Sequence, residues 1–280
     1  MKVTLDNGTL CVEADTLGAE LTSVRFQNEE KLWQGEEWRH HAPILFPVCG
    51  CCRLTLGGRE YPLGKHGFAQ EKEFQCKVRR KNAVTFELCS DEETIARFPF
   101  EFAFRVRYAL NQNQLRIVYE IENPSDETMY FSCGGHESFA LSGPLKNFEL
   151  RFPHSEQFTT LLHDNEGCLT GVTHDLGEGT NFPLPEEFLT NGNTLIFRNL
   201  RSRYLWLCER GGKRLAKISF KEFKHLLLWR LDGKNMICIE PWHNLPDGAE
   251  SIPFPQKEGI VALPPHQSKK FVRTIEYLAE

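Results

Sequence analysis

The run Phe100-Glu101-Phe102-Ala103-Phe104-Arg105-Val106-Arg107-Tyr108-Ala109-Leu110 decides the fold class. Phe100, Phe102, Phe104, Val106, Tyr108 and Leu110 fall on one side of an extended chain, and Glu101, Arg105 and Arg107 on the other. That period of two is the mark of a half-buried strand. Asn111-Gln112-Asn113-Gln114 follows as a polar turn, and Leu115, Ile117, Tyr119 and Ile121 then alternate with Arg116, Glu120 and Glu122. Two such runs around a short polar break make a hairpin. Asn123-Pro124-Ser125-Asp126 supplies turn chemistry at its end.

Working outward, the theme repeats. Val84, Phe86 and Leu88 alternate, as do Phe148, Leu150 and Phe152. Tyr204, Trp206 and Cys208 oppose Leu205 and Leu207; Met236 to Glu240 reads as a strand, and Phe271 to Leu278 as a final one. Helical periodicity is confined to Asp91–Phe98, with Asp91 able to cap a short helix and Pro99 to stop it. Residues 167–191, with Gly177-Glu178-Gly179, Pro183 and Pro185, read as a loop-like surface connection. Many strands without alternating helices imply an all-β sandwich or barrel. The 280 residues exceed the usual length of one domain, but large sandwiches run this long, and with neither linker nor repeat the expectation is a single domain over 1–280.

Composition narrows the function classes. Net charge is −5, against the basic excess of nucleic-acid binders. The N-terminal residues lack the apolar core of a signal peptide, and no apolar run is long enough for a membrane span. Ten cysteines without an export signal read as free thiols in a reducing compartment, so the expected location is cytoplasmic, and the Asn7-Gly8-Thr9 sequon carries no weight there. Phosphate-loop, dinucleotide, nucleophile-elbow and zincin motifs are all absent. Cys49, Cys51, Cys52 and Cys133, with His136, lack the paired spacing of a zinc site and read as small buried or half-buried thiols.

Three segments differ from sheet filler: Leu63-Gly64-Lys65-His66-Gly67-Phe68-Ala69, Ser132-Cys133-Gly134-Gly135-His136-Glu137-Ser138-Phe139, and Ile237-Cys238-Ile239-Glu240-Pro241-Trp242. Each sets an ionisable residue beside glycine or proline. Glycine permits close backbone approach, and Pro241 is expected to stop its strand from continuing as a central one. A carboxylate after Ile-Cys-Ile is expected to be buried, which raises its pKa and strengthens it as a base. Read singly, such a segment is better explained by a structural histidine, a salt-bridged glutamate or a core tryptophan; three in one chain weaken that explanation.

Together these segments resemble the aldose 1-epimerase (galactose mutarotase) family, especially its bacterial mutarotase-like branch. Ala42-Pro43-Ile44-Leu45-Phe46-Pro47 resembles the family's N-terminal motif, Lys65-His66-Gly67-Phe68-Ala69 its basic-His-Gly-Phe-Ala motif, Gly134-Gly135-His136 with Phe139 its central motif, and Cys238-Ile239-Glu240-Pro241-Trp242 its C-terminal one. Leu17-Gly18-Ala19-Glu20-Leu21 and Leu32-Trp33 also fit, so the matches run in order from about residue 15 to 247. The resemblance implies a large antiparallel β-supersandwich and interconversion of sugar anomers through ring opening, without metal or cofactor. It implies Glu240 as general base, His136 as general acid and His66 as a hydrogen-bonding partner at the ring oxygen or anomeric centre. A carboxylate near pKa ~4.3 and a histidine near ~6.5 form a natural acid–base pair.

The chain departs from the family where an arginine in a Gly-Arg context contacts sugar hydroxyls. Here Gly50 is followed by Cys51-Cys52-Arg53, and Arg53 is the candidate substitute. Lys65 and Trp242 are the other expected substrate contacts. Asp232 lies near the region of the family's sugar-binding aspartate, but Leu231-Asp232-Gly233-Lys234 reads equally as a hairpin turn. His243 is expected at the surface. Two alternatives stay open: a non-catalytic sugar-binding protein on the same fold, and an epimerase of a phosphorylated or sulfonated sugar whose anion meets Lys65, Arg53 and Arg230. The expected partner is a small sugar, with no nucleic acid or membrane, and the chain a monomer or homodimer.

Overall fold

The structure is a computed structural model and describes residues 1–279. It is a β-supersandwich whose ladders between strands are antiparallel among the described residues, with isolated parallel bridges at Phe46–Gly67 and Leu169–Gly248. A four-stranded sheet of Lys2–Asp6, Leu10–Asp15, Leu21–Phe26 and Glu29–Glu30 accompanies a sheet of fifteen strands. The large sheet runs from Ile44–Leu45 through Gly134–Gly135, Met236–Trp242, His225–Trp229 and Leu195–Arg198 to Phe148–His163. It continues through Tyr204–Glu209, Arg214–Ser219, Ser268–Tyr277, Gln114–Glu122 and Ala103–Asn111 to Ala83–Cys89 and Gln75–Arg80. No helix among the described residues is long and apolar enough to cross a membrane.

The deciding run behaves as its alternation demands. Phe102, Phe104, Val106, Tyr108 and Leu110 are buried, and Ala103–Asn111 pairs with Gln114–Glu122 across a two-residue turn in which Gln112 has φ 51°. The strand starts at Ala103 rather than Phe100, because the chain turns where the Phe100 N–H donates to the Phe98 carbonyl. Before it, the helix Glu92–Arg97 is capped reciprocally: the Asp91 carboxylate accepts from the Thr94 N–H, and the Thr94 hydroxyl from the Asp91 N–H.

This strand also packs on the segment that carries Phe46. The Phe46 ring lies 4.6 Å from Phe104, 5.1 Å from Phe102 and 5.9 Å from Phe98, all buried. Each fully buried phenylalanine contributes ~1.5–3 kcal/mol from area alone. The cluster thereby anchors the segment that carries Phe46.

Two expectations fail. Residues 167–191 are not a loop: Leu169–Pro183 is a fifteen-residue strand paired along Phe148–His163, with register shifts at Arg151/Glu156, Gln157/Thr159 and Leu161/His163. Its side chains are mostly exposed, so burial imposes no alternation, and Gly171, Gly177 and Gly179 at positive φ suit the irregularities. Pro241 likewise does not stop its strand, since Met236–Trp242 runs straight through it. The Trp242 carbonyl accepts from the Lys224 N–H on the His225–Trp229 side, so Pro241 faces the other way. There the neighbouring ladder is already interrupted, at His136, between Gly134–Gly135 and Glu137–Ala140. The missing N–H falls in that gap.

Candidate active site

The three segments that stood apart in the sequence, together with the Ala42–Pro47 motif, meet at one end of the large sheet. Gly134 pairs with both Leu45 and Trp242, and Phe46 bridges Gly67. Close approach explains the glycines. A Cβ on Gly67 (φ 75°) would lie 2.3 Å from the Phe46 carbonyl oxygen, and one on Gly134 would lie 2.9 Å from the Cys49 sulfur and from the Trp242 ring. Upstream, Glu20 fixes the other wall: its carboxylate accepts from the His41 and Ala42 N–H groups at 2.6 and 2.9 Å and meets His40 Nδ1 at 2.9 Å.

Between these segments lies a cleft of about 460 Å³ lined by Trp38, His40, Pro43, Lys65, His66, Gln70, His136, Gly192, Thr194, Trp229, Glu240 and Trp242. Its size and mix of aromatic walls with a few polar groups suit a small polar ligand. His136 Nε2 stands 3.2 Å from Glu240 Oε2. His136 Nδ1, Glu240 Oε1 and Trp242 Nε1 are buried with no hydrogen-bond partner. Buried polar atoms are rarely orphaned, and three in one cleft point to a ligand that satisfies them.

His66 is held at φ 68° by two bonds to one residue. Its N–H donates to the Gly50 carbonyl at 3.0 Å, and its Nδ1 accepts from the Gly50 N–H at 3.0 Å. A neutral ring whose Nδ1 accepts carries its proton on Nε2, so His66 is a donor there. Its ring packs 5.6 Å from His136 and 5.3 Å from Trp242. Trp38 and Trp229 flank His136 at 5.2 and 5.9 Å.

Burial governs the proton balance. It raises the Glu240 carboxyl well above its ordinary range, with Lys65 pulling the other way and Glu137 adding to the rise. It pushes His136 down to about 3, with the positive charge of Lys65 adding to the effect. His66 is pushed well below its ordinary value by burial, then by His136 and Lys65. Burial thus disfavours charge on both members of the Glu240–His136 pair.

Among the described residues, one trio brings metal-ligating atoms within 4.8 Å of one another: His136, Cys238 and Glu240. Burial raises both the Cys238 thiol and the Glu240 carboxyl, so a metal ion there would have to displace their protons. Cys49, Cys51, Cys52 and Cys133 form no such group.

The structure thus brings together Glu240, His136, His66, Trp242 and, at the exposed rim, Lys65. It does not bring in Arg53, whose N–H and Nε reach the Asp247 carboxylate at 2.8 and 3.4 Å. Arg230 is buried elsewhere, donating to the Leu189 carbonyl and to Glu186. The anion site imagined for Lys65, Arg53 and Arg230 does not exist as a cluster. Asp232 is a turn residue that accepts from the Asn191 N–H at 2.8 Å. His243 is not at the surface; it is buried against Phe223 and Phe271, with ring centres at 4.7 and 4.3 Å. Sequence reasoning missed Trp38, His40 and Trp229, which lie in a loop and at a strand end without pattern. The one available signal was the tryptophan and histidine content of Trp38-Arg39-His40-His41.

A family model described as Aldose 1-epimerase matches residues 1–203. Protein LacX of Lactococcus lactis subsp. lactis, in its plasmid form, is 30% identical over 276 residues, covering 89% of this chain and 90% of LacX. A galactose mutarotase related enzyme from Lactobacillus acidophilus superposes with a TM-score of 0.91 at 28% identity, covering 100% of this chain and 98% of that one. A galactose 1-epimerase from Lactobacillus acidophilus NCFM shares the fold at a TM-score of 0.72 and 14% identity, covering 99% and 94%. From the match of the family model over most of its length and this LacX relative, the chain belongs to the aldose 1-epimerase family.

Proposed function

We propose that this protein is a mutarotase that interconverts the α and β anomers of a neutral sugar by general acid–base catalysis. The observation that carries the reading is the 3.2 Å contact between His136 Nε2 and Glu240 Oε2 in a cleft where both residues keep a second polar atom unpartnered. The hydroxyl oxygen and the ring oxygen that must exchange a proton are both attached to C1, so an acid and a base in mutual contact reach both.

The sugar enters with its faces against Trp38, Trp229 and Trp242, and the Glu240 proton passes to His136 across their contact. The carboxylate then takes the C1 hydroxyl proton while the imidazolium delivers its own to the ring oxygen. The C1–O5 bond breaks, and C1 becomes an aldehyde carbonyl. Rotation about C1–C2 presents the other face, and the same steps in reverse close the ring. His66 donates from Nε2 to the oxygen that accumulates negative charge. A neutral substrate fits better than an anionic one because Lys65 is the sole member of the expected cationic trio at the cleft. The chain is proposed to act as a single domain, since one core cluster extends from Val3 to Tyr277, and in the cytoplasm, in keeping with its ten free thiols.

The test is the approach of freshly dissolved α-sugars to anomeric equilibrium, followed by polarimetry or NMR. Wild type should accelerate it, and Glu240→Gln and His136→Ala should each lose about 10²–10⁴-fold while staying folded. Saturable sugar binding with no acceleration would instead establish a binding protein.

A further inference from the structure

We propose that Cys51 and Cys168 are a reversible redox pair whose disulfide fastens the hairpin of Phe148–His163 and Leu169–Pro183 to the segment that positions His66. The two sulfurs lie 3.0 Å apart although 117 positions separate them in sequence. Both residues are half-buried, so an oxidant of small size reaches them.

The placement is set by backbone on both sides. The Asp247 N–H donates to the Cys51 carbonyl at 2.8 Å, and the Asp247 carbonyl accepts from the Leu169 N–H at 2.7 Å. Leu169 also bridges Gly248, and the Cys168 N–H is held by the Asp164 carboxylate at 2.9 Å. Residues 247–248 thus act as a splint to which both cysteine-bearing segments are bonded. Closing to the ~2.05 Å of a disulfide needs about an ångström of further approach, within reach of side-chain rotation.

The other thiols near the cleft are unsuited. Cys49, Cys52 and Cys133 are buried, out of reach of an oxidant, whereas Cys51 and Cys168 are half-buried. Burial, and then its bond to Cys51, raises Cys168 to about 12, so its thiolate forms more readily as pH rises. The chemistry balances with a peroxide. One thiolate attacks hydrogen peroxide, the O–O bond breaks, and a sulfenic acid and one water form. The second sulfur displaces the S–OH oxygen as a second water, and the two thiols supply both electrons. A dithiol reductant reverses the step by exchange.

The disulfide bears on the cleft from two directions. Cys51 follows Gly50, which makes both backbone contacts to His66. Cys168 follows Gly167, where an added Cβ would lie 3.7 Å from Lys65 Nζ. Oxidation therefore stiffens the rim on both sides of the Lys65-His66 pair.

The purified protein is treated with hydrogen peroxide at pH 8.5, alkylated without reduction, digested and mapped by mass spectrometry. The expected result is a Cys51–Cys168 linked peptide that dithiothreitol removes. Oxidised wild type should also gain several degrees in Tm, as cross-linking a long loop restricts the unfolded chain, and Cys51→Ser and Cys168→Ser should show neither the peptide nor the gain. Recovery of both cysteines as separately alkylated peptides, or linkage of either one to a different cysteine, overturns the proposal. The readout involves no sugar, so its failure is distinguishable from that of the mutarotase reading.

Discussion

Arg273 reaches beneath Gly135 to grip Glu137: its two terminal nitrogens donate to the two carboxylate oxygens, and one of them also donates to the Tyr119 hydroxyl at 2.9 Å. Both residues are about 2% exposed. The guanidinium fits because position 135 has no side chain; a Cβ there would lie 2.0 Å from Arg273 Nη2. Glu137 directly follows His136, so this ion pair supports the loop that carries the proposed acid. Arg273→Met leaves a buried carboxylate without its partner and should cost ~3–5 kcal/mol. Replacing both partners with apolar residues should recover much of it. Urea denaturation of the single and double variants measures both.

Arg53 is bound to Asp247, and this relationship yields a contrast. Asp247 is 6% exposed at its side chain and receives the buried Lys257 ammonium at 2.6 Å on each oxygen, whereas the Arg53 side chain is 49% exposed. Arg53→Ala should change stability by no more than ~1 kcal/mol and leave KM unchanged, because an exposed pair contributes little. Asp247→Ala, which strands the Lys257 charge, should cost ~3–5 kcal/mol. Steady-state rates and denaturation curves on the two variants separate a structural arginine from a sugar-binding one.

Lys65 acts on the acid–base pair through its field. Its positive charge lowers the pKa of Glu240, of His136 and of His66. In the proposed mechanism the pair works with one proton, failing at low pH when it gains a second and at high pH when it loses the first. Removing the charge makes protons easier to hold, so Lys65→Met should move both limbs of the pH–rate profile to higher pH. Added salt should shift wild type the same way, since Lys65 is exposed and screened. A profile that stays in place would show that Lys65 is uncoupled from the pair.

His225 provides a stability test away from the chemistry. Burial lowers its pKa from 6.5 to about 4, aided by Lys224 and Arg198, and its Nε2 stands 3.8 Å from Glu258. The unfolded chain thus binds a proton that the folded chain refuses between these values. Stability is complete above pH 6.5 and falls with acidification by up to ~1.4 kcal/mol per pH unit for this residue. His136 and His243, lowered to about 3, act in the same direction. His225→Leu should be nearly neutral at pH 7.5 and should flatten the decline of Tm between pH 6.5 and 5.

The fold was legible where one face of a strand is buried and the other wet. Phe102 to Leu110 and Leu115 to Ile121 alternate because they cover a core, and that pattern is local in sequence. Leu169–Pro183 carries no such pattern, as most of its side chains meet solvent and its hydrogen bonds to Phe148–His163 are made by backbone that composition does not report. Pro241 misled for a related reason: whether a strand tolerates proline depends on its neighbour, and the gap beside it is made by residues a hundred positions away. Within the site, residues beside glycine and proline were readable, because close backbone approach demands such punctuation. Trp38 and Trp229 were not, since an aromatic wall imposes no spacing. Arg53 looked available because nothing in its segment announces Asp247.

The meeting of Leu45, Gly134 and Trp242 in neighbouring strands has a consequence for the nascent chain. The proposed acid and base are fixed by a ladder whose members emerge from the ribosome at widely separated moments, and the 236–242 strand is the last of them to appear. Until then His136 has no carboxylate opposite it, and the segments from residues 45 and 134 form an open edge. Such remote pairings exact a large loop-closure entropy before they reward it, so refolding is expected on the millisecond-to-second scale of proteins with distant contacts. The appearance of mutarotation after dilution from denaturant should therefore coincide with completion of the sheet, with no active precursor.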